Sequence, residues 1–425
     1  MIIAPIPPRK IPGPKSKALA TRLARAESQN ITYMNAEFPV FWREAHGCWV
    51  TDVDDNRFLD FTSAFGVASV GHCHPDVIDT IQRQCANLIH GMGDVHPSEL
   101  KVALCEEITN SVPIPDAKVI LSLSGSDAVE SAIKTACIYT QRDAFLAFDG
   151  GYHGLALGAL DATSRLDFRE PFAAQLGGFT QHLPYNCDFD ALDAVLKTRL
   201  FAGAIVEPIL GRGGIIVPES NWLKMLSDVC REHGTLLIAD EIFTGWGRTG
   251  DMFASQYENV MPDIMCIGKA MGGGLPISAC VASQSVMDAW SKSEGEALHT
   301  STFLGHPLSC AAALTTLAVI KKLDLASAAR DMGRRATSGL DKIQNRHRDV
   351  IKEVRGRGLM LGIEVVPPLT GATIMAECLK NGLLVLPAGD GQVIEIIPPL
   401  VIDSDEVDAG MDRLDEAISA CVRKT

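Results

Sequence analysis

The stretch DIMCIGKAMGGGLPISA, from Asp263 to Ala279, places a single lysine between an apolar segment and a run of glycines. The residues IMCI are typical of a buried strand, and Lys269 follows just after it. A lysine held in an apolar pocket has a lowered pKa, so its neutral amine can attack a carbonyl. The ordinary alternative, a surface lysine with its ammonium in water, fits this apolar context poorly. The stretch therefore predicts a nucleophilic amine at Lys269.

A second stretch, TLLIADEIFTGWGRTG from Thr235 to Gly250, ends an apolar strand on two acidic residues. An unpaired buried carboxylate is costly, so Asp240 requires a positively charged partner. The residues alone leave two partners open: a protonated ring nitrogen of a bound ligand, or a neighbouring arginine such as Arg248.

A third stretch, SLSGSDAVESAIKTA at residues 122–136, follows a predicted strand and opens a helix. Gly125 lets a ligand approach the backbone closely, and Ser126 adds a hydroxyl donor. Asp127 and Glu130 have the spacing of a capping pair at a helix start. The free N–H groups of such a start suit a phosphate, although an ordinary capped helix has the same pattern.

The middle of the chain alternates between short apolar runs and helical patterns. The runs KVILSLS, AFLAFDG, AGAIVEPI, TLLIADEI and DIMCIGKA are separated by segments such as FDALDAVLKTRL and NWLKMLSDVCREHG. Buried strands with helical crossovers predict an α/β fold with a mostly parallel sheet covered on both faces.

Composition restricts the classes of partner. The chain has 425 residues, 47% of them hydrophobic and 21% charged, with a net charge of −14 and a pI of about 5.2. This composition is typical of a folded globular protein, and its acidity gives no bulk attraction for nucleic acid or an anionic membrane. Its N-terminal prolines and lysines do not resemble a signal peptide, and we find no apolar run that would span a bilayer.

The twelve cysteines are scattered and include no C-x-x-C pair. Several, such as Cys85 and Cys266, lie in apolar stretches. We therefore expect buried free thiols in a reducing cytosol, and a cytoplasmic protein.

The length favours a large domain and a smaller α+β domain. We expect an N-terminal arm and part of the small domain in residues 1–60, including a hairpin between Cys48 and Phe61. The large domain would then cover residues 61–318. The C-terminal part of the small domain would cover residues 319–425 and end in a helix from about residue 404 to residue 422.

The motifs GKAMGGG, DEIFTGWGRTG and SGSDAVESAIK together resemble the class III (ω-) aminotransferases, a branch of the fold type I enzymes that use pyridoxal 5′-phosphate (PLP). The resemblance extends from GHCHP at Gly71 to IIPPL ending at Leu400. It implies an aspartate-aminotransferase-like fold, with the cofactor PLP held as an aldimine on Lys269. The implied reaction moves an amino group from an amine or amino acid to a keto acid or aldehyde by a ping-pong mechanism.

The same machinery can serve an amino-acid racemase or epimerase, or an aminomutase, so these activities remain alternatives. A protein on this fold that binds without catalysis is a third possibility, which the intact lysine, aspartate and phosphate motif disfavour.

The resemblance also implies roles for single residues near the cofactor. Lys269 would shuttle a proton, and Asp240 would pair with the pyridine nitrogen. Gly125 and Ser126 would hold the phosphate.

Further roles follow from the same resemblance. Tyr152 would stack on one face of the ring, and Ile242 would pack on the other. Glu207 would help to fix the site. Thr302 would reach the phosphate of a neighbouring subunit, which implies a homodimer with shared sites.

The sequence departs from the family pattern in three charged or polar positions. Phe243 replaces a glutamine that contacts the cofactor in many relatives. Glu395 replaces an arginine that grips the substrate α-carboxylate, and Arg212 stands where relatives carry a glutamate. We hypothesise a reversed Arg212–Glu395 ion pair that can release Arg212 to grip a substrate carboxylate. The alternative is a purely structural ion pair.

Other positions bear on the pocket walls. Leu155 stands where relatives that act on ω-amino acids often carry an arginine, so a grip of that kind is doubtful. Phe65 is a candidate for an apolar wall of the substrate pocket. Trp42 is a candidate either for such a wall or for the hydrophobic core. His72 and His74 lack a carboxylate cluster around them, so we expect no metal site.

Overall fold

The computed structural model describes residues 11–35 and 38–424, so most of the predicted N-terminal arm lies outside the described residues. The strands are β1 (Trp42–His46), β2 (Trp49–Asp52), β3 (Arg57–Asp60), β4 (Ala117–Ser122), β5 (Ala144–Phe148), β6 (Thr180–Leu183), β7 (Phe201–Val206), β8 (Leu236–Asp240), β9 (Ile264–Ile267), β10 (Ser278–Ser283), β11 (Ile351–Arg357), β12 (Met360–Val365), β13 (Leu383–Leu384), β14 (Leu386–Ala388) and β15 (Val393–Ile396).

The α-helices are α1 (Pro14–Ala26), α2 (Ser63–Gly66), α3 (Pro75–Asn87), α4 (Glu99–Thr109), α5 (Gly125–Thr140), α6 (Leu157–Ala162), α7 (Leu166–Arg169), α8 (Phe189–Leu196), α9 (Trp222–His233), α10 (Gln284–Met287), α11 (Pro307–Lys322), α12 (Leu325–Arg346), α13 (Gly371–Lys380) and α14 (Ser404–Val422). Short 3₁₀ helices occur at Glu170–Phe172, Ala254–Glu258 and Lys269–Gly272.

Seven strands form the largest sheet, in the order β4–β10–β9–β8–β7–β5–β6. The strands from β9 to β6 pair in parallel, and β10 runs antiparallel to both of its neighbours. Successive residues of β5 face opposite layers: Phe145 packs on the side of α5, and Leu146 packs on the side of α9. The predicted α/β class with a mostly parallel sheet is confirmed.

The carboxyl ends of the parallel strands meet at one edge of this sheet, where such folds bind their ligands. Strand β4 ends at Ser122 and leads into α5, while β7 ends just before Glu207. Strand β8 ends on Asp240, and β9 ends two residues before Lys269. The sheet topology therefore gathers the three motifs from distant parts of the sequence.

Two smaller four-stranded sheets lie outside the large one, in the orders β1–β2–β3–β13 and β11–β12–β15–β14. The predicted hairpin is confirmed, since β2 pairs antiparallel with β3 and Asp52 accepts the N–H groups of Asp54 and Asn56 in its turn. Strand β13 joins β3 in parallel, so N-terminal and C-terminal segments share a sheet. Helix α11 runs across the predicted domain limit at residue 318.

Some predicted burial is wrong. All twelve thiols are free and Cys266 is buried, but Cys85 is exposed on α3. That helix buries Val77 alone, and the apolar residues Leu88 and Ile89 after its last residue are also exposed. Within the described part of the chain, no helix is long and apolar enough to cross a membrane.

Candidate active site

A pocket of about 340 Å³ opens at the carboxyl edge of the large sheet. It is lined by Gly125, Ser126, Tyr152, His153, Gly154, Leu155, Glu207, Arg212, Asp240, Ile242, Phe243 and Lys269. All three sequence motifs contribute to this lining. A larger cavity of about 720 Å³ lies under residues 290–299, but it contains none of the motif residues, so we assign the chemistry to the smaller pocket.

Lys269 lies in the pocket and not in open solvent. Its backbone has a φ of 43°, a left-handed conformation that is uncommon outside glycine and is often found at functional sites. Its Nζ lies 3.8 Å from the centroid of the Phe243 ring. Burial lowers the pKa of the Lys269 amine, although the nearby carboxylates of Glu207 and Asp240 oppose that shift. The direction of this shift favours a neutral amine, as the sequence context predicts.

Asp240 is 4% exposed and receives two hydrogen bonds. Its Oδ2 lies 2.8 Å from Nδ1 of His153, and its Oδ1 accepts the Ile242 N–H at 3.2 Å. Arg248, the alternative partner from sequence, instead donates to the carbonyl oxygens of Leu359 and Pro398, so that alternative is wrong.

His153 is the site residue that the sequence did not reveal. It is buried, and its backbone N–H donates to Oγ1 of Thr163 at 2.9 Å, which fixes the ring against Asp240. Its place directly after Tyr152 was the available signal, because a histidine beside a predicted pocket residue can point into the same pocket. The contact with His153 fixes the position of the Asp240 carboxylate in the pocket.

Helix α5 supplies a cradle with little room for extra atoms. A side chain at Gly125 would place its Cβ 2.8 Å from Cδ1 of Ile242. Ser126 faces the same space, and its Oγ accepts the Ala156 N–H at 2.9 Å. The glycine and the first turn of the helix leave backbone N–H groups open to an anion.

The cap of α5 differs from the predicted Asp127–Glu130 pair. Ser124 is the N-cap and accepts the Asp127 N–H at 3.2 Å, while Asp127 accepts the Leu123 N–H at 3.0 Å. Glu130 instead accepts the N–H group of Gly158 at 2.7 Å, so it links α5 to α6.

Glu207 connects two loops beneath the pocket. It is buried, and its two oxygens accept the N–H groups of Tyr152 at 2.8 Å and Gly211 at 3.0 Å. Burial raises the pKa of its carboxyl to about 7, with Asp240 adding to the shift and His153 opposing it. Glu207 thereby holds the backbone that presents Tyr152 and Arg212.

Arg212 does not form the ion pair predicted with Glu395. Its guanidinium lies 5.0 Å from the Tyr152 ring centroid and 5.7 Å from that of Phe168. Among the residues that the structure describes, no carboxylate oxygen lies within 4.0 Å of it. The aromatic rings hold the exposed guanidinium by cation–π contact, which replaces the expected carboxylate.

The remaining candidates lie at the surface of the chain. Phe65 is 61% exposed and does not line the pocket among the described residues, and Thr302 is also exposed. Trp42 is partly exposed with its ring edge-on to His72, so it is not a core residue. His72 bonds Asp60 at 2.8 Å. The described residues contain no cluster of three potential metal ligands.

Comparison with known proteins agrees with this geometry. Residues 32–418 match the family model described as aminotransferase class III. An acetylornithine aminotransferase from Methanopyrus kandleri is 37% identical over 91% of this chain and 96% of the relative. An ornithine aminotransferase from Toxoplasma gondii, solved with partial occupancy of PLP, has a TM-score of 0.89 at 30% identity and covers 96% of this chain and 95% of that one.

An omega transaminase from Pseudomonas jessenii, solved in complex with PMP, has a TM-score of 0.87 at 25% identity and covers 95% of this chain and 98% of that one. The chain therefore belongs to the class III aminotransferase family and has its fold type I architecture. It is a PLP-dependent aminotransferase, and its relatives favour this activity over racemisation or an aminomutase reaction.

The pocket residues fit the cofactor of this family. A buried carboxylate at Asp240 suits a protonated pyridine nitrogen, and the cradle at Gly125 and Ser126 suits a phosphate. Lys269 is an amine with a lowered pKa in the same pocket. These three features supply the charge, the anion site and the nucleophile that PLP needs.

Proposed function

We propose that this aminotransferase uses a donor with a carboxylate, which Arg212 binds, and passes the amino group to a keto acid or aldehyde. The observation that carries the proposal is the guanidinium of Arg212, which lines the pocket without a carboxylate partner among the described residues. A planar guanidinium can bind a carboxylate through two parallel hydrogen bonds. The rings of Tyr152 and Phe168 keep this group oriented before the donor arrives.

The relatives' names point to donors of moderate length. They are called acetylornithine and ornithine aminotransferases, and both of these donors carry an amine far from a carboxylate. Leu155 lines the pocket at the position where relatives acting on ω-amino acids often have an arginine. We therefore assign the carboxylate to Arg212 and an apolar part of the donor to Leu155.

The pocket residues divide the remaining work. PLP, when bound, supplies an electron-withdrawing ring that stabilises negative charge at the reacting carbon. Asp240, oriented by His153, would pair with the ring nitrogen, and Gly125 and Ser126 would hold the phosphate. Lys269 would remove and return the proton at the donor carbon.

Three further side chains complete the proposed site. Tyr152 and Ile242 both line the pocket and would enclose the two faces of the ring. Glu207 holds the loops that carry Tyr152 and Arg212 in place, because its two oxygens accept backbone hydrogen bonds from these loops.

We also propose a cytoplasmic homodimer in which Thr302 completes the partner's phosphate site. Large apolar side chains are exposed in the two segments at residues 88–95 and 298–303; these are Leu88, Ile89, Met92, Val95, Leu298 and Phe303. The two segments touch, since the rings of His90 and Phe303 lie 5.0 Å apart, and exposed apolar side chains gathered in this way are typical of a subunit interface. The division into residues 1–60 with 319–425 and residues 61–318 remains our proposal for the domains.

The test compares wild type with Arg212→Ala and Arg212→Lys in the donor half-reaction. The assay follows the absorbance change of the cofactor in a single turnover without acceptor. Loss of a charge-assisted bidentate contact should weaken carboxylated donors by roughly 10- to 100-fold, with a smaller loss in the lysine variant. Donors without a carboxylate should change little. An equal loss for both kinds of donor would remove the binding role of Arg212.

A further inference from the structure

Glu395 is a buried carboxylate without a partner. It is 8% exposed, and within the described chain its carboxylate has no hydrogen-bond donor and no cation within ion-pair distance. A buried ionised group in that state is costly unless a ligand supplies the missing charge or donor. Such a group stays neutral until a ligand supplies a positive charge or a hydrogen-bond donor.

The register of the small sheet places the Glu395 side chain on the face of β15 that is directed toward the pocket. Ile394 and Ile396, its neighbours in β15, belong to the hydrophobic core, so Glu395 faces the opposite side of the strand. It is paired with Gly362 of β12, where an added Cβ would lie 3.1 Å from Cβ of Ile215. This face of the small sheet thus packs on the loop that carries Arg212.

The charges around Glu395 are those of the pocket. Lys269 and Arg212 lower the pKa of its carboxyl, while Glu207 raises it. Burial is the largest influence and raises that pKa to about 8. Near neutral pH the unpartnered group is therefore mostly protonated, and a cation placed beside it would convert it to the carboxylate.

We infer that Glu395 is a specificity-determining residue that binds a free ammonium group at the non-reacting end of the donor. The inference rests on the proposed transfer reaction and narrows its substrate to compounds with two free amino groups, one of which reacts. With Arg212 available for the carboxylate, the preferred donor is a diamino acid whose non-reacting amine is not acylated. Acylation removes the positive charge and leaves Glu395 unpaired.

The experiment uses matched donors that differ by one charge. Ornithine is compared with Nα-acetylornithine, and diamines of three to six carbons are compared with monoamines of equal length. Each apparent affinity is measured in the donor half-reaction of the holoenzyme. A charged hydrogen bond in a buried site corresponds to a preference of about 10- to 100-fold for the dicationic member. Glu395→Gln should reduce that ratio to near one, while Glu416→Gln, an exposed glutamate on α14, should leave it unchanged.

A second measurement needs no variant. Because the cation binds the ionised form of Glu395, the preference for the doubly charged donor should rise from pH 6 to pH 8 and then level off. In the ornithine pair the reacting δ-amine is common to both members, so its own titration largely cancels in the ratio. A ratio independent of pH, or a preference that persists in Glu395→Gln, would overturn the inference. If instead no donor of any kind changed the cofactor absorbance, the proposed function itself would fail.

Discussion

Replacing His153 with alanine tests whether the buried pair with Asp240 orients the site. The variant removes a ring that is 3% exposed and lies 2.8 Å from Oδ2 of Asp240. Asp240 would keep the Ile242 N–H, a longer contact at 3.2 Å, as its remaining donor among the described residues. A hydrogen bond to a charged group contributes about 1.5–3 kcal/mol. If that free energy serves to hold Asp240 in position for the cofactor, cofactor affinity should fall by roughly 10- to 100-fold.

The assay is an equilibrium titration of the apoenzyme with PLP, followed by absorbance. Loss of the histidine leaves Oδ2 of Asp240 without the hydrogen bond that holds it, so the carboxylate should be less well positioned for the cofactor. His153→Asn can still donate through its amide and should recover part of the affinity. The conservative variant separates hydrogen bonding from loss of volume.

A remote histidine provides the matched control. His233 bonds Oδ1 of Asp193, also at 2.8 Å, and neither residue lines the pocket. His233→Ala should lower thermal stability and leave cofactor affinity at the wild-type value. If His153→Ala behaved in the same way, the histidine would be a structural residue and the orienting role would be refuted.

Two further predictions concern the floor and the cradle of the pocket. Gly125→Ala brings a Cβ to 2.8 Å from Cδ1 of Ile242, so we expect about a 10-fold loss of PLP affinity. Ile242→Val, which removes that Cδ1, should partly restore the affinity. An unchanged affinity of Gly125→Ala in titration would contradict a tight cradle. Because burial raises the pKa of Glu207 to about 7 in the folded state, its ionisation weakens folding as the pH rises from about 4.5 to 7. Glu207→Gln should therefore have a lower free energy of unfolding than wild type at pH 5, and this deficit should shrink by up to about 3 kcal/mol by pH 8. Chemical denaturation at both pH values measures the deficit. Equal deficits at pH 5 and pH 8 would count against the raised pKa of Glu207.

The parts of the site that follow strand ends could be predicted from the sequence. Asp240 and Lys269 each come directly after or at the end of an apolar strand, and Gly125 begins the helix after a third. Parallel strands bring their carboxyl ends to one edge, so local patterns were enough to place these residues together.

Contacts between side chains from different loops could not be predicted in this way. Whether Arg212 contacts aromatic rings or Glu395 depends on where Tyr152 and Phe168 lie in the folded chain. No local sequence pattern encodes the distances from the guanidinium to these two rings. The outward position of Phe65 has a similar cause: it ends three successive non-glycine residues, from Ser63, whose φ values of 46°, 48° and 62° are left-handed. Such strained backbone is imposed by tertiary packing, and sequence propensity argues against it.

The departures from the family pattern spare the residues that suit the ring nitrogen and the phosphate of the cofactor. Asp240 and Gly125 keep the features expected for holding PLP, whereas Phe243 lies under the Lys269 amine and Arg212 lines the opening of the pocket. The Phe243 ring attracts the protonated form of that amine, which opposes the effect of burial without adding a hydrogen bond. Phe243 removes one cofactor contact expected from the family, whereas the change at Arg212 bears on which donor is bound. Experiments that vary the donor should therefore discriminate among substrates far better than experiments that vary the cofactor.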